Sequence, residues 1–264
     1  MELRPLGDTG LRVSPLGLGT VKLGRNQGVR YPRPFALPSD RDAAALLELA
    51  RSLGINLLDT APAYGDSEAR LGRLLPGRRE DWVIATKVGE EFDGGASRFD
   101  FSAAAVRASV ERSLGRLRSD WLDIVLIHSD GNDLEILHAT GALEALRELQ
   151  SRGWVRAVGM STKTLAGGLA AVAACDLVMV TLNPLHREEL PVIAAARAAG
   201  KGVLIKKGLA SGHLHRLEGA DPVAAALGMI FAQPGVGSVI VGTLDPDHLR
   251  ANIAAAERAL ASGS

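Results

Sequence analysis

The sequence has little cysteine and no excess of charge of either sign. Its single cysteine, Cys175, has no partner for an intrachain disulfide and lies beside the apolar run at 177–180, so we interpret it as a buried small hydrophobic residue. Lys plus Arg and Asp plus Glu number 30 each. Because the chain has no net field, it is not expected to bind nucleic acid or an anionic membrane surface.

Long hydrophobic runs are also missing. No stretch of about 18 apolar residues could span a bilayer, and the N-terminal segment MELRPLGDTG lacks the apolar core of a signal peptide. We therefore expect a soluble, cytoplasmic protein. Hydrophobic residues nevertheless make up 47% of the 264 residues, which is ample for one large core.

Short apolar runs rich in Val, Ile and Leu recur along the chain, and stretches of Ala, Leu and Arg at helical spacing separate them. The predicted strands lie at 15–19, 55–59, 82–87, 122–128, 155–161, 177–183, 202–207 and 237–242. Strands that are apolar at nearly every position and alternate with helices indicate a parallel sheet covered by helices. The pattern predicts a single (β/α)8 TIM barrel domain over residues 1–264.

An open, doubly wound sheet is the alternative architecture. Its dinucleotide fingerprint G-x-G-x-x-G is only half met by Gly17 and Gly19, because Gly24 is misplaced. The Pro-rich segment 24–39 then intervenes before any helix, so the barrel is favoured. Residues 1–14, with turn chemistry at 8–10, predict a β-hairpin that caps the N-terminal end of the barrel.

Four side chains with proton or charge chemistry lie at or just after the ends of predicted strands. They are Asp59, Tyr64, Lys87 and His128. In a barrel, these strand ends meet at one rim. An ammonium about 4 Å from a phenol favours phenolate by roughly 4 kcal/mol at an effective dielectric near 20. We therefore expect Lys87 to lower the pKa of Tyr64, Asp59 to keep Lys87 charged, and His128 to position a substrate oxygen.

The segments DTAPAYG (59–65), IATKVG (84–89), IVLIHSD (124–130) and VGMST (158–162), in this order, resemble the aldo-keto reductase superfamily. The resemblance continues through GLGT (17–20), GWVRAVGMS (153–161) and GVGSVIVGT (235–243), and so covers nearly the whole chain. It implies a catalytic tetrad of Asp59, Tyr64, Lys87 and His128. It also implies reduction of a small-molecule aldehyde or ketone by NADPH or NADH, or the reverse oxidation of an alcohol, with Tyr64 as the proton donor.

The resemblance further implies a set of cofactor-binding residues: Gly19, Thr20, Ser161, Thr162, Lys206, Lys207, Leu209, Ser211, Gly242, Thr243, His248 and Asn252. Several positions depart from the family pattern. Thr162 stands where Asn is usual, Met179 stands where Gln is frequent, and Lys206 replaces the aromatic that stacks on the nicotinamide. The sequence leaves open whether Lys206 and Lys207 contact the cofactor or are simply solvated at the rim. Leu244 and His248 stand where relatives often place Arg near the 2′-phosphate, so the preference between NADP and NAD is left open.

The substrate pocket is predicted to include Val21, Lys22 and Ser129. The long segment 25–38 is interpreted in two ways, either as a lid over the barrel mouth or as a mobile surface loop. As part of a lid, its basic residues would favour anionic or polyhydroxyl substrates. The segment carries Arg25, Asn26, Arg30, Tyr31 and Arg33. No metal is expected, because His213 and His215 have no third ligand of suitable spacing nearby.

Three functional classes are consistent with these residues. The first is the nicotinamide-dependent oxidoreductase. The second is a Schiff-base lyase in which Lys87 attacks a carbonyl, an activity that Asp59 disfavours because it keeps the lysine charged. The third is a nucleotide-binding protein with little turnover, which the altered nicotinamide pocket suggests.

Overall fold

A computed structural model describes residues 1–29, 31–75, 77–213 and 221–262. The strands within these ranges are β1 (Arg4–Pro5), β2 (Arg12–Val13), β3 (Leu16–Gly19), β4 (Leu57–Asp59), β5 (Val83–Val88), β6 (Glu90–Asp93), β7 (Ala96–Phe99), β8 (Leu122–His128), β9 (Val155–Ser161), β10 (Leu177–Thr181), β11 (Gly202–Lys206) and β12 (Ser238–Val241).

Eight of these strands, β3 to β5 and β8 to β12, pair in parallel as a closed barrel. The last strand, β12, closes the ring on β3, with Val239 opposite Leu16. The predicted (β/α)8 barrel is thus confirmed. Strand β4 begins two residues later than predicted. The reason is that Asn56 forms hydrogen bonds to residues beside β2 and not to a barrel strand. Its side-chain oxygen accepts from the Ser14 amide, and its side-chain amide donates to the Arg12 carbonyl.

Helices cover the outside of the barrel. In chain order they are α1 (Val21–Gly24), α2 (Asp40–Ser52), α3 (Ser67–Leu74), α4 (Ala103–Leu117), α5 (Asp133–Ala139), α6 (Ala142–Ser151), α7 (Leu165–Ala174), α8 (Leu190–Ala198), α9 (Pro222–Phe231) and α10 (Pro246–Ser262). Caps define several of the starts: the side chains of Ser39, Ser102 and Thr164 each accept a hydrogen bond from a backbone N–H in the first turn.

The antiparallel pair β1–β2 closes the N-terminal end of the barrel, as predicted. Its side chains Leu6, Leu11 and Val13 are buried in one cluster with inward-facing strand residues such as Leu57 and Leu204. Leu6 also lies against Gly202 and Gly237, where β11 and β12 begin, so closely that an added Cβ would come within 2.8 Å of it. The hairpin is therefore a plug that shields the barrel interior from water.

A second antiparallel hairpin, β6–β7, follows β5 at the opposite end of the barrel, and the sequence did not predict it. Its two-residue turn is Gly94–Gly95, and both glycines have positive φ, 58° and 86°. This is the geometry of a type I′ turn, which glycine adopts without steric cost. The turn signal was present in the sequence, but the flanking residues are partly or fully exposed and lack an apolar alternation.

The single cysteine lies in the core. Cys175 is fully buried, and burial raises the pKa of its thiol to about 12, which fits an inert packing role. Within the described ranges, every helix is too short or too polar to cross a bilayer.

Candidate active site

The predicted tetrad residues meet at the C-terminal rim of the barrel. Asp59 ends β4, Lys87 lies near the end of β5 and His128 ends β8, while Tyr64 lies in a 3-10 turn, Pro62–Tyr64, just after β4. Lys87 Nζ donates to Asp59 Oδ1 at 2.5 Å and to the Thr60 carbonyl at 2.8 Å. Both partners are buried, so the ammonium is held by fixed oxygens in place of water.

Tyr64 does not have the lowered pKa that the sequence predicts. Its hydroxyl donates to Asp59 Oδ2 at 3.4 Å, whereas Lys87 Nζ faces the ring, 4.6 Å from its centroid. Burial, followed by the charge of Asp59, raises the pKa of Tyr64 well above its ordinary value. The pKa is raised because the hydroxyl is buried and lies beside the anion, whereas the cation lies against the ring. Tyr64 therefore keeps its proton throughout the physiological pH range.

His128 stands edge-on to Tyr64, with ring centroids 6.3 Å apart and planes at 88°. Burial lowers the pKa of His128, and the positive charges of Lys87 and Lys206 lower it further, while Glu90 acts in the opposite direction. His128 Nδ1 lies 2.8 Å from Glu90 Oε2, although the N–H is not aligned well enough for a full hydrogen bond. Burial and the two lysines thus favour the neutral imidazole, and Glu90 favours the imidazolium.

Glu90 is a site residue that sequence reasoning missed. It is the first residue of β6, and its other oxygen, Oε1, accepts a hydrogen bond from Ser97 Oγ of β7 at 2.6 Å. Burial opposes its ionisation, but the contacts with His128 and Ser97 lower the pKa of Glu90 to about 2. Its position directly after IATKVG was the available signal, because that stretch carries Lys87 to the same rim.

Thr20 fixes the spacing between the first two barrel strands. Its backbone amide and its hydroxyl both donate to the Asp59 carbonyl at 2.9 Å, and its hydroxyl also contacts Ser67 Oγ at 2.6 Å. The Thr20 side chain is fully buried in this network. The Thr20 amide and hydroxyl therefore serve to position Asp59, and the Thr20 carbonyl accepts from the Leu23 amide and the Ser67 hydroxyl. Gly19, the other predicted cofactor residue at the end of β3, lies opposite Asp59 in the barrel sheet.

Lys206 and Ser161, both predicted to bind the cofactor, are in direct contact. Lys206 Nζ donates to Ser161 Oγ at 2.9 Å and to the carbonyl of Thr162. Burial lowers the pKa of Lys206 to about 7, and Glu189 only partly opposes the shift. The ammonium ends on this pair of oxygens, so Lys206 is a partly buried, bonded cation and not a solvated charge at the rim.

The Thr162 hydroxyl is bonded to a glutamate on the neighbouring part of the barrel. It donates to Glu189 Oε1 at 3.1 Å, and the other oxygen of Glu189 accepts from the Thr181 amide at 2.7 Å. Thr162 is fully buried. Its carbonyl, which faces Lys206, is the part of the residue that lies toward the predicted cofactor site.

The loop after β11 has an unusual backbone. Lys207, Ala210 and Ser211 all have positive φ, between 47° and 55°, although none is glycine. Asn183 secures the loop by donating its side-chain amide to the Lys207 carbonyl at 2.9 Å. Strained backbone of this kind persists where the surroundings hold it, and it is concentrated at ligand sites. Leu209 lies within the same loop, half-buried against the core.

The remaining predicted cofactor residues lie at the end of β12 and the start of α10. Gly242 is exposed and Thr243 is buried, and the Thr243 hydroxyl accepts from the Asp245 amide at 3.0 Å. The His248 side chain is 74% exposed and pairs at 3.6 Å with Asp245 Oδ2. Asn252 is buried one turn farther along α10. The one guanidinium in the stretch 242–252 belongs to Arg250, which is exposed.

The residues predicted to contact substrate differ in exposure. Val21 and Lys22 begin the short helix α1 and are half-buried, whereas Ser129 is fully buried, and its hydroxyl accepts from the Gly131 amide at 2.9 Å. Lys22 Nζ lies over the rings of Tyr31 and Phe35, 4.4 and 5.3 Å from their centroids. These rings bring aromatic surface to the residues that were predicted to contact substrate.

The segment 25–38 folds back onto the rim over its described residues. An added Cβ on Gly242 would lie 3.4 Å from the Tyr31 hydroxyl, and Arg25 donates to the Ala63 carbonyl at 2.9 Å. Arg25 also stacks on Phe92 of β6, 3.6 Å from the ring centroid. Its guanidinium is thus used to hold loops together. Asn26 and Arg33 are exposed, and Arg30 lies outside the described residues.

The possible metal ligands give no cluster. Among the residues that the structure describes, no three His, Cys, Asp or Glu side chains are grouped to hold a metal ion. His213 belongs to this part of the chain, and His215 lies outside it.

Comparison with known proteins identifies the family. The profile of the Aldo/keto reductase family matches residues 15–222. The chain belongs to this family. The uncharacterized oxidoreductase YqkF of Bacillus subtilis is 30% identical over an alignment that covers 97% of this chain and 91% of YqkF. L-galactose dehydrogenase of Arabidopsis thaliana is 39% identical, over 61% of this chain and 48% of that protein.

A solved structure supports the same assignment. A protein of Pseudomonas aeruginosa described as an aldo-keto reductase superposes with a TM-score of 0.89 at 57% identity, covering 98% of this chain and 95% of that one. As a member of the aldo/keto reductase family, the protein is an oxidoreductase that uses a nicotinamide cofactor on small molecules with carbonyl groups.

Proposed function

We propose that the protein reduces an aldehyde or ketone with Tyr64 as the proton donor, and that Asp59, Lys87 and His128 complete the catalytic site. The observation that carries this proposal is the contact of Tyr64 with Asp59 and Lys87 on one buried rim. A phenol whose pKa is raised holds its proton until a substrate oxygen gains negative charge in the transition state. The arrangement therefore favours proton donation over proton abstraction.

The donor set fits a nicotinamide dinucleotide. Lys206 presents a cation beside Ser161, and the loop at 207–211, three of whose residues have left-handed backbone, presents backbone groups where an anionic linker could bind. We propose that Ser161 and Lys206 hold the nicotinamide end, and that the loop with Ser211 and the stretch from Gly242 to Asn252 hold the rest. The bound cofactor would supply the hydride to the carbonyl carbon. His248 is exposed and paired to Asp245, and Arg250 is exposed, so neither cation is held by burial for a 2′-phosphate. Both NADPH and NADH are therefore expected to bind.

We further propose a polyhydroxyl substrate, such as a sugar. One relative is named L-galactose dehydrogenase. The pocket brings together the ring of Tyr31 and the ammonium of Lys22, a combination of flat apolar surface and hydrogen-bond donors that suits a sugar ring.

The Tyr64→Phe substitution tests the proton-donor role. The chain has only two tyrosines, Tyr64 and Tyr31, so Tyr31→Phe is a matched variant that removes the other phenolic hydroxyl. We expect Tyr64→Phe to lower kcat for an aldehyde panel by about 10²- to 10⁴-fold, the usual contribution of general acid catalysis. Tyr31→Phe is expected to stay within about tenfold of the parent by the same scale. Steady-state kinetics with NADPH and NADH are the measurement, and equal losses in both variants would contradict the assignment.

The two alternative functions give different outcomes. A Schiff-base lyase requires a neutral Lys87, but Lys87 is bonded to a carboxylate and a carbonyl, so borohydride should trap no substrate on it. A nucleotide-binding protein with little turnover would bind NADPH or NADH, as followed by cofactor fluorescence, but would oxidise neither with any member of the carbonyl panel.

A further inference from the structure

Glu90 joins a hairpin outside the barrel to a residue of the proposed catalytic site. Both of its carboxylate oxygens are used: Oε1 accepts from Ser97 Oγ at 2.6 Å, and Oε2 lies 2.8 Å from His128 Nδ1. The next residue, Glu91, instead pairs with Arg112. The hairpin register therefore sends one glutamate inward to the rim and its neighbour outward to helix α4.

The position of Glu90 decides which ring nitrogen of His128 carries a proton. A bare Nδ1 lone pair would be repelled by an anionic oxygen at 2.8 Å, so Nδ1 keeps its proton even though the N–H is imperfectly aligned in this conformation. In the neutral ring, Nε2 is then the nitrogen without a proton. It can donate to a carbonyl oxygen only when the ring carries both protons.

We propose that Glu90 is a positioning residue that fixes the proton of His128 on Nδ1 and thereby makes the hydrogen-bond donor for the substrate carbonyl the doubly protonated imidazole. This inference rests on the proposed function. As the pH rises through the His128 transition, Nε2 changes from donor to acceptor. Carbonyl reduction then loses a hydrogen bond, whereas the neutral ring can still accept one from the hydroxyl of an alcohol.

The groups that surround His128 make its protonation sensitive to Glu90. Lys87 on β5 and Lys206 on β11 disfavour the imidazolium, as does burial, and Glu90 on β6 favours it. Tyr64 faces the ring edge-on, and Arg25 faces Glu90 from the segment after α1. Glu90 is the one anion among the charged groups that shift the pKa of His128 most.

Glu90→Gln is the decisive substitution, because it changes the tautomer as well as the charge. Ser97 donates to Oε1, so the glutamine oxygen should take that place and its NH2 group should face Nδ1. The amide then donates to Nδ1, and the neutral ring carries its proton on Nε2. Glu91→Gln is the matched control, since it removes a carboxylate from the same hairpin without touching His128.

The first measurement is ¹⁵N NMR of histidine-labelled protein without substrate or cofactor, with His128 assigned through the loss of its signal in His128→Gln. Above the His128 transition, we expect the proton on Nδ1 in the parent and in Glu91→Gln, and on Nε2 in Glu90→Gln. The same tautomer in the parent and in Glu90→Gln would overturn the proposal. Because no turnover is involved, this result stands apart from whether the protein reduces carbonyls.

The second measurement is the pH profile of kcat/KM for aldehyde reduction. In the parent and in Glu91→Gln, the rate should fall about tenfold per pH unit above the His128 transition, as expected for loss of one proton. In Glu90→Gln, this fall in kcat/KM at high pH should be much smaller, because the neutral ring keeps its proton on Nε2. Lys206, whose pKa is also lowered, is present in all three proteins, so the comparison cancels its own contribution to the profile. A uniform loss of rate with an unchanged profile would indicate a purely structural role and overturn the proposal.

Discussion

At the scale of single residues, Lys206 shows how burial changes the pKa that a residue type suggests. A lysine at the end of a strand is ordinarily solvated, and the sequence allowed either that role or contact with the cofactor. The structure buries the ammonium against Ser161 and the Thr162 carbonyl. Desolvation depends on neighbours distant in sequence, which is why no local pattern could reveal the lowered pKa.

The pKa of Lys206 leads to a prediction about stability. Its folded-state pKa is about 7, below the ordinary value of 10.5, so between these pH values the unfolded chain binds more protons than the folded one. Stability should therefore rise with pH across this window, by up to about 1.4 kcal/mol per pH unit. Lys206→Met should flatten the rise, and Lys207→Met, at the exposed neighbouring position, should not. Urea unfolding at pH 7, 8.5 and 10 measures the slopes, and parallel curves for all three proteins would contradict the assignment.

The tetrad illustrates what residue types can and cannot predict. The convergence of Asp59, Lys87 and His128 followed from their places at strand ends, because parallel strands deliver their ends to one rim. The direction of the Tyr64 pKa did not follow, since it depends on whether the hydroxyl or the ring faces the ammonium. That choice is made by the turn geometry after β4, and the structure shows the ring facing Lys87.

At the scale of elements, the barrel strands were predictable and the β6–β7 hairpin was not. Barrel strands are buried on both faces and so display continuous apolar runs. The hairpin lies at the surface, and its pairing depends on the glycine turn and on polar contacts such as Ser97 with Glu90. As a consequence, the element that supplies the partner of His128 was the one with the weakest sequence signal.

Two helical glycines give a prediction at this scale. Both Gly72 in α3 and Gly115 in α4 lie inside helices, but a Cβ at Gly72 would come 2.1 Å from the Arg116 carbonyl, whereas nothing lies within 4 Å of one at Gly115. We expect Gly115→Ala to stabilise the protein by about 1 kcal/mol through helix propensity. Gly72→Ala should instead destabilise it, by about 1–3 kcal/mol, because α3 and α4 must move apart. Free energies of unfolding from denaturant titration decide the matter, and equal signs for the two variants would refute it.

At the scale of the whole molecule, the closed ring makes distant parts of the chain depend on each other. Strand β3 has β4 on one side and β12 on the other, and these neighbours are separated by most of the sequence. Removing residues 238–262 would leave the edges of β3 and β11 unpaired and expose the core that α10 covers through Leu249 and Ile253. We expect this deletion to abolish cooperative thermal unfolding followed by circular dichroism. A deletion variant that still melts in one sharp transition would contradict the dependence.

The pairing of β3 with β12 also has a consequence for synthesis on the ribosome. Strand β3 is made early, yet the partner of its free edge comes from residues 238–241, more than two hundred residues later. Until that segment emerges, the nascent chain exposes an unpaired strand edge and an apolar barrel interior, features that promote association between unfinished chains. Translation speed and the supply of chaperones should therefore influence the yield of active protein.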